Sequence, residues 1–195
     1  MEQINSVTFV CWANISRSPV AECIAKAMAE EKGLLGVKCA SAGLIEPPFM
    51  DLSYEMRSAL ERLGYQPPKH HIPTRATAEL LGNSDLVLCF ERDQVRQVRA
   101  LTGIGEAGNV YTLPEYVGFP EQEIPDPHSL IRATWLSGVI NSLPPLLKPP
   151  FYGITGYVHP TDEQAVLKVH IRLARQIEEY VEEAIEKIAK THSQG

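Results

Sequence analysis

The chain has 195 residues, of which 22% are charged, and its formal net charge is −6. This length suffices for one domain with a full core, and we expect residues 1–195 to form it. The acidic balance argues against a nucleic-acid surface, which would be basic. Neither a membrane span nor a secretory signal is predicted, because no apolar run approaches ~20 residues and residues 1–6 lack a basic segment followed by an apolar one.

Strands and helices alternate along the chain. Ser18-Pro19 opens the first predicted helix and places proline at its first position, and Gly33 ends it. Asp51 is the predicted cap of the second helix, and Thr77 that of a short third one. The apolar pattern predicts strands at 7–10, 37–41, 85–90 and 109–113, and helices at 18–32, 52–63, 77–81, 92–101 and 162–190.

This alternation predicts an α/β fold with a parallel sheet and right-handed crossovers. The continuous apolar run at 85–90 is typical of a strand that is buried on both faces. Because parallel sheets bind ligands at the carboxyl ends of their strands, the loops that follow the strands are the first place to look for a site.

The loop after the first strand carries Cys11 and, after five intervening residues, Arg17. A tight loop between a strand and a helix directs successive backbone N–H groups inward, and the helix N-terminus adds positive potential. A planar guanidinium matches two oxygens of a phosphate, and positive surroundings favour the nucleophilic thiolate. The pattern therefore predicts a nucleophile beside a phosphate site. The alternative is a buried cysteine at a strand end near a surface arginine.

The residues Cys11, Asn14, Arg17, Ser18 and Pro19 resemble the signature of the low-molecular-weight protein tyrosine phosphatase family, Cys-x-Gly-Asn-x-Cys-Arg-Ser-Pro after a strand. The resemblance implies a four-stranded parallel sheet in the order 2-1-3-4, flanked by helices. It also implies hydrolysis of phosphomonoesters on a protein through a cysteinyl-phosphate intermediate. No metal or other cofactor is implied, since the Glu and His residues show no ligand spacing.

The sequence departs from this signature at two positions, with Ala13 for the glycine and Ser16 for the second cysteine. Alanine costs about 1 kcal/mol if the position needs a positive φ. In many family members the second cysteine forms a disulfide with the nucleophile and shields it from oxidation. We therefore predict that peroxide drives the nucleophile past sulfenic acid, unless Cys23, Cys39 or Cys89 reaches it. With no export signal, the four cysteines are predicted to be reduced thiols in the cytoplasm.

A candidate general acid lies in the sequence Ile124-Pro125-Asp126-Pro127. The flanking prolines stiffen the backbone and reduce the entropy lost on positioning the carboxyl group. The family carries its general acid in such an Asp-Pro pair after the fourth strand, which implies this role for Asp126. The alternative is an ordinary Asp-Pro turn.

Further polar residues are predicted to support or line the site. The resemblance implies that Asn14, Ser18, Ser41 and a histidine before the third strand brace the loop, with His71 the candidate and His70 its rival. The alternative for each is capping or turn chemistry. Asn14 also tolerates a left-handed backbone conformation. The predicted substrate-binding residues are Trp12, Ala13, Asn14, Ile15, Ser16, Ser18 and His128.

The substrate class depends on residues near the loop. Members that act on phosphotyrosine usually carry an apolar residue where Ile15 stands, and Trp12 and His128 would wall a pocket for a flat ring. The arginine-phosphatase branch resembles the chain at residues 112–118, but tends to carry threonine at the position of Ile15. Arsenate reduction would need further cysteines near the third strand, and a non-catalytic anion-binding module would not need Asp126.

Residues 129–160 separate the Asp-Pro pair from the last predicted helix and look like an insertion relative to the family. Their aromatic and proline content suits a surface loop packed by its own side chains, with a flap beside the site as the alternative. The last helix, at 162–190, carries an apolar stripe typical of packing on the sheet. Its length leaves room for weak self-association with another chain.

Overall fold

The computed structural model describes residues 3–46, 50–105, 108–127 and 163–193. His128 and the predicted insertion at 129–160 lie outside the described residues. None of the helices within these ranges is long and apolar enough to cross a membrane. The strands are β1 (Ser6–Cys11), β2 (Lys38–Gly43), β3 (Leu86–Cys89) and β4 (Val110–Thr112). The helices are α1 (Arg17–Glu31), α2 (Tyr54–Arg62), α3 (Ala78–Gly82), α4 (Arg92–Thr102), α5 (Leu113–Tyr116) and α6 (Glu163–Ser193).

The four strands form one parallel sheet in the order β2-β1-β3-β4, which confirms the predicted fold class. Cys11, the last residue of β1, pairs with Gly43 at the end of β2, and Val10 pairs with Cys89 at the end of β3. The carboxyl ends of three strands therefore meet at one edge of the sheet, and the loops that follow them share that edge.

The two faces of the sheet are covered by different helices. Helices α1, α2 and α6 pack over the face that carries Phe9 and Cys11, with Ile24 and Ile177 fully buried there. Helices α3 and α4 lie at the other face, where Val10 and Cys89 are buried. Because side chains alternate along a strand, neighbouring residues such as Val10 and Cys11 point to opposite faces.

Three local predictions were wrong. Helix α1 begins at Arg17, so Pro19 is its third residue rather than its first. Asp51 does not cap α2, because the helix begins only at Tyr54 and the Ser53 hydroxyl accepts the N–H of Met56 at 3.4 Å.

The third correction concerns residues 113–116, which were expected to end a strand and begin a long loop. They form the short helix α5. The hydroxyl of Thr112 accepts the N–H of Glu115, and the Glu115 carboxylate accepts the N–H of Thr112, both at 3.1 Å. This reciprocal capping stops β4 at Thr112 and turns the chain into a helix.

Candidate active site

The loop of residues 12–16 joins the end of β1 to the start of α1, and its carbonyls are bonded to the surrounding scaffold. The carbonyls of Cys11 and Trp12 accept the N–H groups of residues 44 and 45 at 3.0 and 2.9 Å. The Asn14 carbonyl accepts a hydrogen bond from His71 Nε2 at 2.6 Å. The Ile15 carbonyl accepts the N–H of residue 53 at 2.8 Å, and the Ser16 carbonyl accepts the N–H of residue 20 at 3.3 Å. In a trans peptide the next N–H points opposite to the carbonyl. The N–H groups of residues 12, 13, 15, 16 and 17 therefore point away from these anchors, as an anion-binding loop requires.

Asn14 is the centre of the bracing around this loop. Its φ is +56°, and it is the only non-glycine residue with a positive φ in the described part of the chain. Its buried side chain donates to the hydroxyls of Ser18 and Ser41 at 2.9 and 2.8 Å and accepts the N–H of Thr74 at 2.8 Å. His71, rather than its rival His70, holds the Asn14 carbonyl. The structure thus brings together all four residues that were predicted to brace the loop.

The sulfur of Cys11 receives polar contacts from its own loop. The N–H of Asn14 donates to Sγ at 3.3 Å, and the Ser18 hydroxyl lies 3.0 Å from it. Asn14 Nδ2 donates to the oxygen of the Ser18 hydroxyl, so the hydroxyl proton of Ser18 points elsewhere. It is directed to the Cys11 sulfur or to the Ala42 carbonyl, which lies 3.3 Å away. The sulfur is therefore held among polar groups of its own loop and of the first turn of α1.

Arg17 is buried, with 1% of its side chain exposed, and its guanidinium lies against the ring of Phe90, 5.7 Å from the centroid. Nη1 donates to the Ile124 carbonyl at 2.8 Å and lies 3.1 Å from the Glu91 carboxylate. Nη2 donates to Asp126 Oδ2 at 2.8 Å. The predicted clamp and the predicted acid are therefore in direct contact, in a geometry that fixes the guanidinium plane.

Glu91 was not anticipated from the sequence as part of this site. It lies just past the end of β3, and its carboxylate bridges Arg17 and the indole nitrogen of Trp12, which donates to Oε2 at 2.7 Å. Its position after a parallel strand was the available signal.

Gly43 was also missed as a site residue. A Cβ at this position would come within 2.8 to 2.9 Å of backbone atoms of residues 12–14, so the loop crosses directly over the end of β2. Only a residue without a side chain allows this close approach.

The two departures from the predicted signature have different outcomes. Ala13 does not have a positive φ, so the strain considered for alanine does not arise. Ser16 precedes the first residue of α1, yet its side chain makes no capping bond, and its buried hydroxyl has no hydrogen-bond partner in the described ranges. The N–H groups of the first turn are thus left without the usual serine cap. Ile15, which belongs to the same loop, is partly exposed.

Comparison with known proteins places this geometry in a family. The sequence profile of the low molecular weight phosphotyrosine protein phosphatase family matches residues 6–144. The chain belongs to that family. It is accordingly a phosphatase and a hydrolase, as the resemblance implied. The matched residues include the loop of residues 12–16, Arg17, Glu91 and Asp126.

Curated relatives of this phosphatase carry two kinds of name. A protein-arginine-phosphatase of Bacillus subtilis is 32% identical over 127 residues, which is 62% of this chain and 78% of that protein. The low molecular weight protein-tyrosine-phosphatase PtpB of Staphylococcus epidermidis is 33% identical over 121 residues, 62% of this chain and 79% of that protein. Both names are compatible with a phosphatase loop of this kind.

Solved structures confirm the fold of the phosphatase. A YwlE arginine phosphatase mutant with a phosphorylated active site serine aligns with a TM-score of 0.70 and 22% identity, over 95% of this chain and 96% of that one. The low molecular weight protein tyrosine phosphatase from T. tengcongensis aligns with a TM-score of 0.66 and 24% identity, over 93% and 98% of the two chains.

Proposed function

We propose that this phosphatase hydrolyses phosphotyrosine on proteins, with Cys11 as nucleophile, Arg17 as phosphate clamp and Asp126 as general acid and base. The observation that carries the proposal is the convergence of these three side chains at one sheet edge, with Asp126 bonded to Arg17 at 2.8 Å. A donor-lined loop and a guanidinium around a sulfur supply both a nucleophile and the charge stabilisation that phosphoryl transfer needs.

In the first step the phosphate dianion binds to the loop N–H groups and to Arg17. Because Nη1 is bonded to Glu91 and the Ile124 carbonyl, the dianion meets Arg17 at Nη2, which carries a second N–H besides the one bonded to Asp126. The Cys11 thiolate attacks phosphorus, so a P–S bond forms while the bond to the tyrosine oxygen breaks. The protonated carboxyl group of Asp126 gives its proton to the leaving oxygen.

In the second step water hydrolyses the cysteinyl-phosphate. Asp126, now a carboxylate, takes a proton from the attacking water, the new P–O bond forms, and the P–S bond breaks. Inorganic phosphate leaves, the Cys11 thiolate is restored, and Asp126 again carries a proton. The Asn14 N–H and the Ser18 hydroxyl contact the sulfur at the start and the end of the cycle.

Support for tyrosine over arginine comes from the side chains at the loop. Ile15 is apolar, and Trp12 offers a flat ring beside the guanidinium, which suits an aromatic leaving group. His128 remains a predicted wall residue. Phosphoarginine is the second candidate, because the Bacillus subtilis relative bears that name and resembles the chain over most of its own length.

The first experiment compares the unsubstituted chain, Cys11→Ser and Cys23→Ser on p-nitrophenyl phosphate. Serine at position 11 is not ionised at neutral pH, so we expect a loss of at least about 10³-fold in kcat. Cys23 lies on α1, where its thiol contacts the Gln66 carbonyl, and its substitution should leave kcat unchanged. Equal activity of all three proteins would contradict the mechanism and favour a non-catalytic anion-binding module.

The second experiment measures turnover of matched phosphotyrosine and phosphoarginine peptides. A higher kcat/KM for phosphotyrosine is expected, and the reverse preference would establish the arginine alternative. Arsenate reduction has little support, since the Cys89 side chain packs on the sheet face opposite to Cys11. The four cysteines are all free thiols, which is typical of a reducing compartment, and we place the activity in the cytoplasm.

A further inference from the structure

Glu91 contacts two parts of the site with the two oxygens of one carboxylate. Oε1 lies 3.1 Å from Arg17 Nη1, and Oε2 accepts the Trp12 indole N–H at 2.7 Å. The two oxygens belong to one rigid planar group. The carboxylate therefore sets the spacing between the indole ring and the guanidinium, which come from opposite ends of the loop of residues 12–16.

The carboxylate is itself held from behind by Gln94, whose side chain is completely buried. Gln94 Nε2 donates to Glu91 Oε2 at 2.8 Å, and Gln94 Oε1 accepts the N–H groups of Phe90 and Glu91 at 2.9 and 3.2 Å. A buried amide that makes three hydrogen bonds is held in one orientation. Glu91 is thus fixed in orientation before it meets Arg17 and Trp12.

We propose that Glu91 is a positioning residue that fastens Trp12 as a rigid wall of the substrate site. This inference rests on the proposed function. The main chain of Trp12 is held by its carbonyl, which accepts the N–H of Ile45 at 2.9 Å. The bond from the indole N–H to Glu91 restrains the Trp12 side chain as well. A wall that is fixed in advance binds a flat ring without losing the entropy of ordering the indole.

Trp12 is partly exposed and is joined to Arg17 through Glu91, so its ring is accessible to an aromatic leaving group on a phosphate held by Arg17. The substrate class it selects is therefore an aryl phosphate ester. Inorganic phosphate has no ring and makes no use of the wall. Loss of the wall should therefore weaken binding of an aryl phosphate ester but not of inorganic phosphate, whereas damage to the phosphate-binding loop would weaken binding of both.

A purely structural role for Glu91 as the residue before α4 would have a different signature. Capping of α4 affects the stability of the fold, but it does not couple Trp12 to substrate binding. The two roles are distinguished by KM against kcat, and by a double-mutant cycle that isolates the contact between the two side chains.

The test uses Trp12→Phe, Glu91→Met and the double variant, with Asp93→Asn as a control in the same turn of α4. Trp12→Phe keeps an aromatic ring but removes the N–H. For p-nitrophenyl phosphate we expect it to raise KM about 3- to 10-fold while kcat and the Ki for inorganic phosphate stay within about 2-fold. In the Glu91→Met background, Trp12→Phe should have no further effect on KM. Asp93, which is exposed, should tolerate substitution without a change in KM.

Three outcomes would overturn the inference: an unchanged KM in Trp12→Phe, the same rise in KM with and without Glu91, or a Ki for phosphate that rises in step with KM. Urea unfolding of each variant shows whether it is folded under the conditions of the kinetic assay. Failure of the proposed function would look different, because Cys11→Ser would then retain activity whatever the effect of Trp12→Phe.

Discussion

The loop of residues 12–16 and the segment of residues 124–127 meet at Arg17, but they are held in different ways. The loop is bonded through its carbonyls to the residues that follow β2, to His71 and to the residues around it, and Asn14 at its centre is completely buried. In the second segment, Ile124 is buried and bonded to the Phe90 carbonyl at 2.9 Å, while Asp126 remains partly exposed and is bonded to Arg17.

This difference shows how the two halves of the proposed mechanism are positioned. The proposed nucleophile and the proposed phosphate site are held by bonds within the scaffold. The proposed acid contacts the guanidinium that the substrate would also contact. In the proposed mechanism the dianion and Asp126 therefore share Arg17, which brings substrate binding and proton donation to one side chain.

Among the substitutions that test this comparison of the loop with the segment of residues 124–127, Asp126→Asn is expected to have the largest effect on activity. Asparagine retains an acceptor for Arg17 but cannot donate a carboxyl proton, so kcat for phenyl phosphate should fall by about 10²- to 10⁴-fold. p-Nitrophenyl phosphate should lose less, because its leaving group needs less protonation. Steady-state kinetics on both esters checks this. An equal loss on the two would show that Asp126 acts on the site only through Arg17.

The next effect concerns the stability of the loop. Asn14→Ala removes three side-chain hydrogen bonds and places alanine at a φ of +56°, so we expect a loss of about 3–5 kcal/mol in the free energy of unfolding. Asn14→Gly loses the same bonds without the φ strain and should be about 1 kcal/mol more stable than the alanine variant. Urea unfolding measures both. Equal stabilities would mean that the left-handed conformation is not costly here.

The parts of this site that were predictable from the sequence are those whose geometry is local. Cys11 and Arg17 lie within one strand, loop and helix start, so their spacing, together with the strand before them and the Ser-Pro pair after them, predicts that they face one anion. The short helix α5 was equally local, since Thr112 and Glu115 form a recognisable capping pair, and the prediction of a loop overlooked it.

The parts that were not predictable depend on which segments the sheet brings together. Glu91 reaches Arg17 because β3 pairs with β1, and Gly43 must be glycine because the loop crosses the end of β2. The choice between His70 and His71 depends on the backbone path of a proline-rich connection. No local pattern distinguishes two adjacent histidines, of which one holds the Asn14 carbonyl and the other is exposed.

A smaller effect is expected from Gly43→Ala, which tests whether the loop is held against β2. The new Cβ would meet the carbonyl carbon of Ala13 at 2.8 Å, so the loop must shift. We expect about 1–3 kcal/mol of destabilisation and a fall in kcat/KM. Gly36→Ala, where nothing lies within 4 Å, is the matched control and should change stability by less than about 0.5 kcal/mol. Similar behaviour of the two variants would contradict the close approach.

The smallest effect on the resting enzyme is expected from oxidation of Cys11. The side chain of Cys89 lies on the opposite face of the sheet, and Cys39 pairs with Val7, four residues or about 13 Å down the sheet from the Cys11–Gly43 pair. Burial raises the pKa of Cys39 to about 11 and raises the pKa values of Cys23 and Cys89 as well, so at neutral pH all three are mainly thiols rather than thiolates.

Cys39 and Cys89 are not placed to capture a sulfenic acid at Cys11, and none of the three thiols is ionised to do so, because disulfide exchange needs both access and a thiolate. We therefore expect that activity lost to peroxide is not restored by dithiothreitol, since oxidation proceeds to the sulfinic acid. In Ser16→Cys, which places a thiol on the same loop, most of the activity present before oxidation should return. Full recovery of the unsubstituted chain would show that another thiol reaches the loop, and that the scaffold holds the loop less rigidly than its four bonded carbonyls indicate.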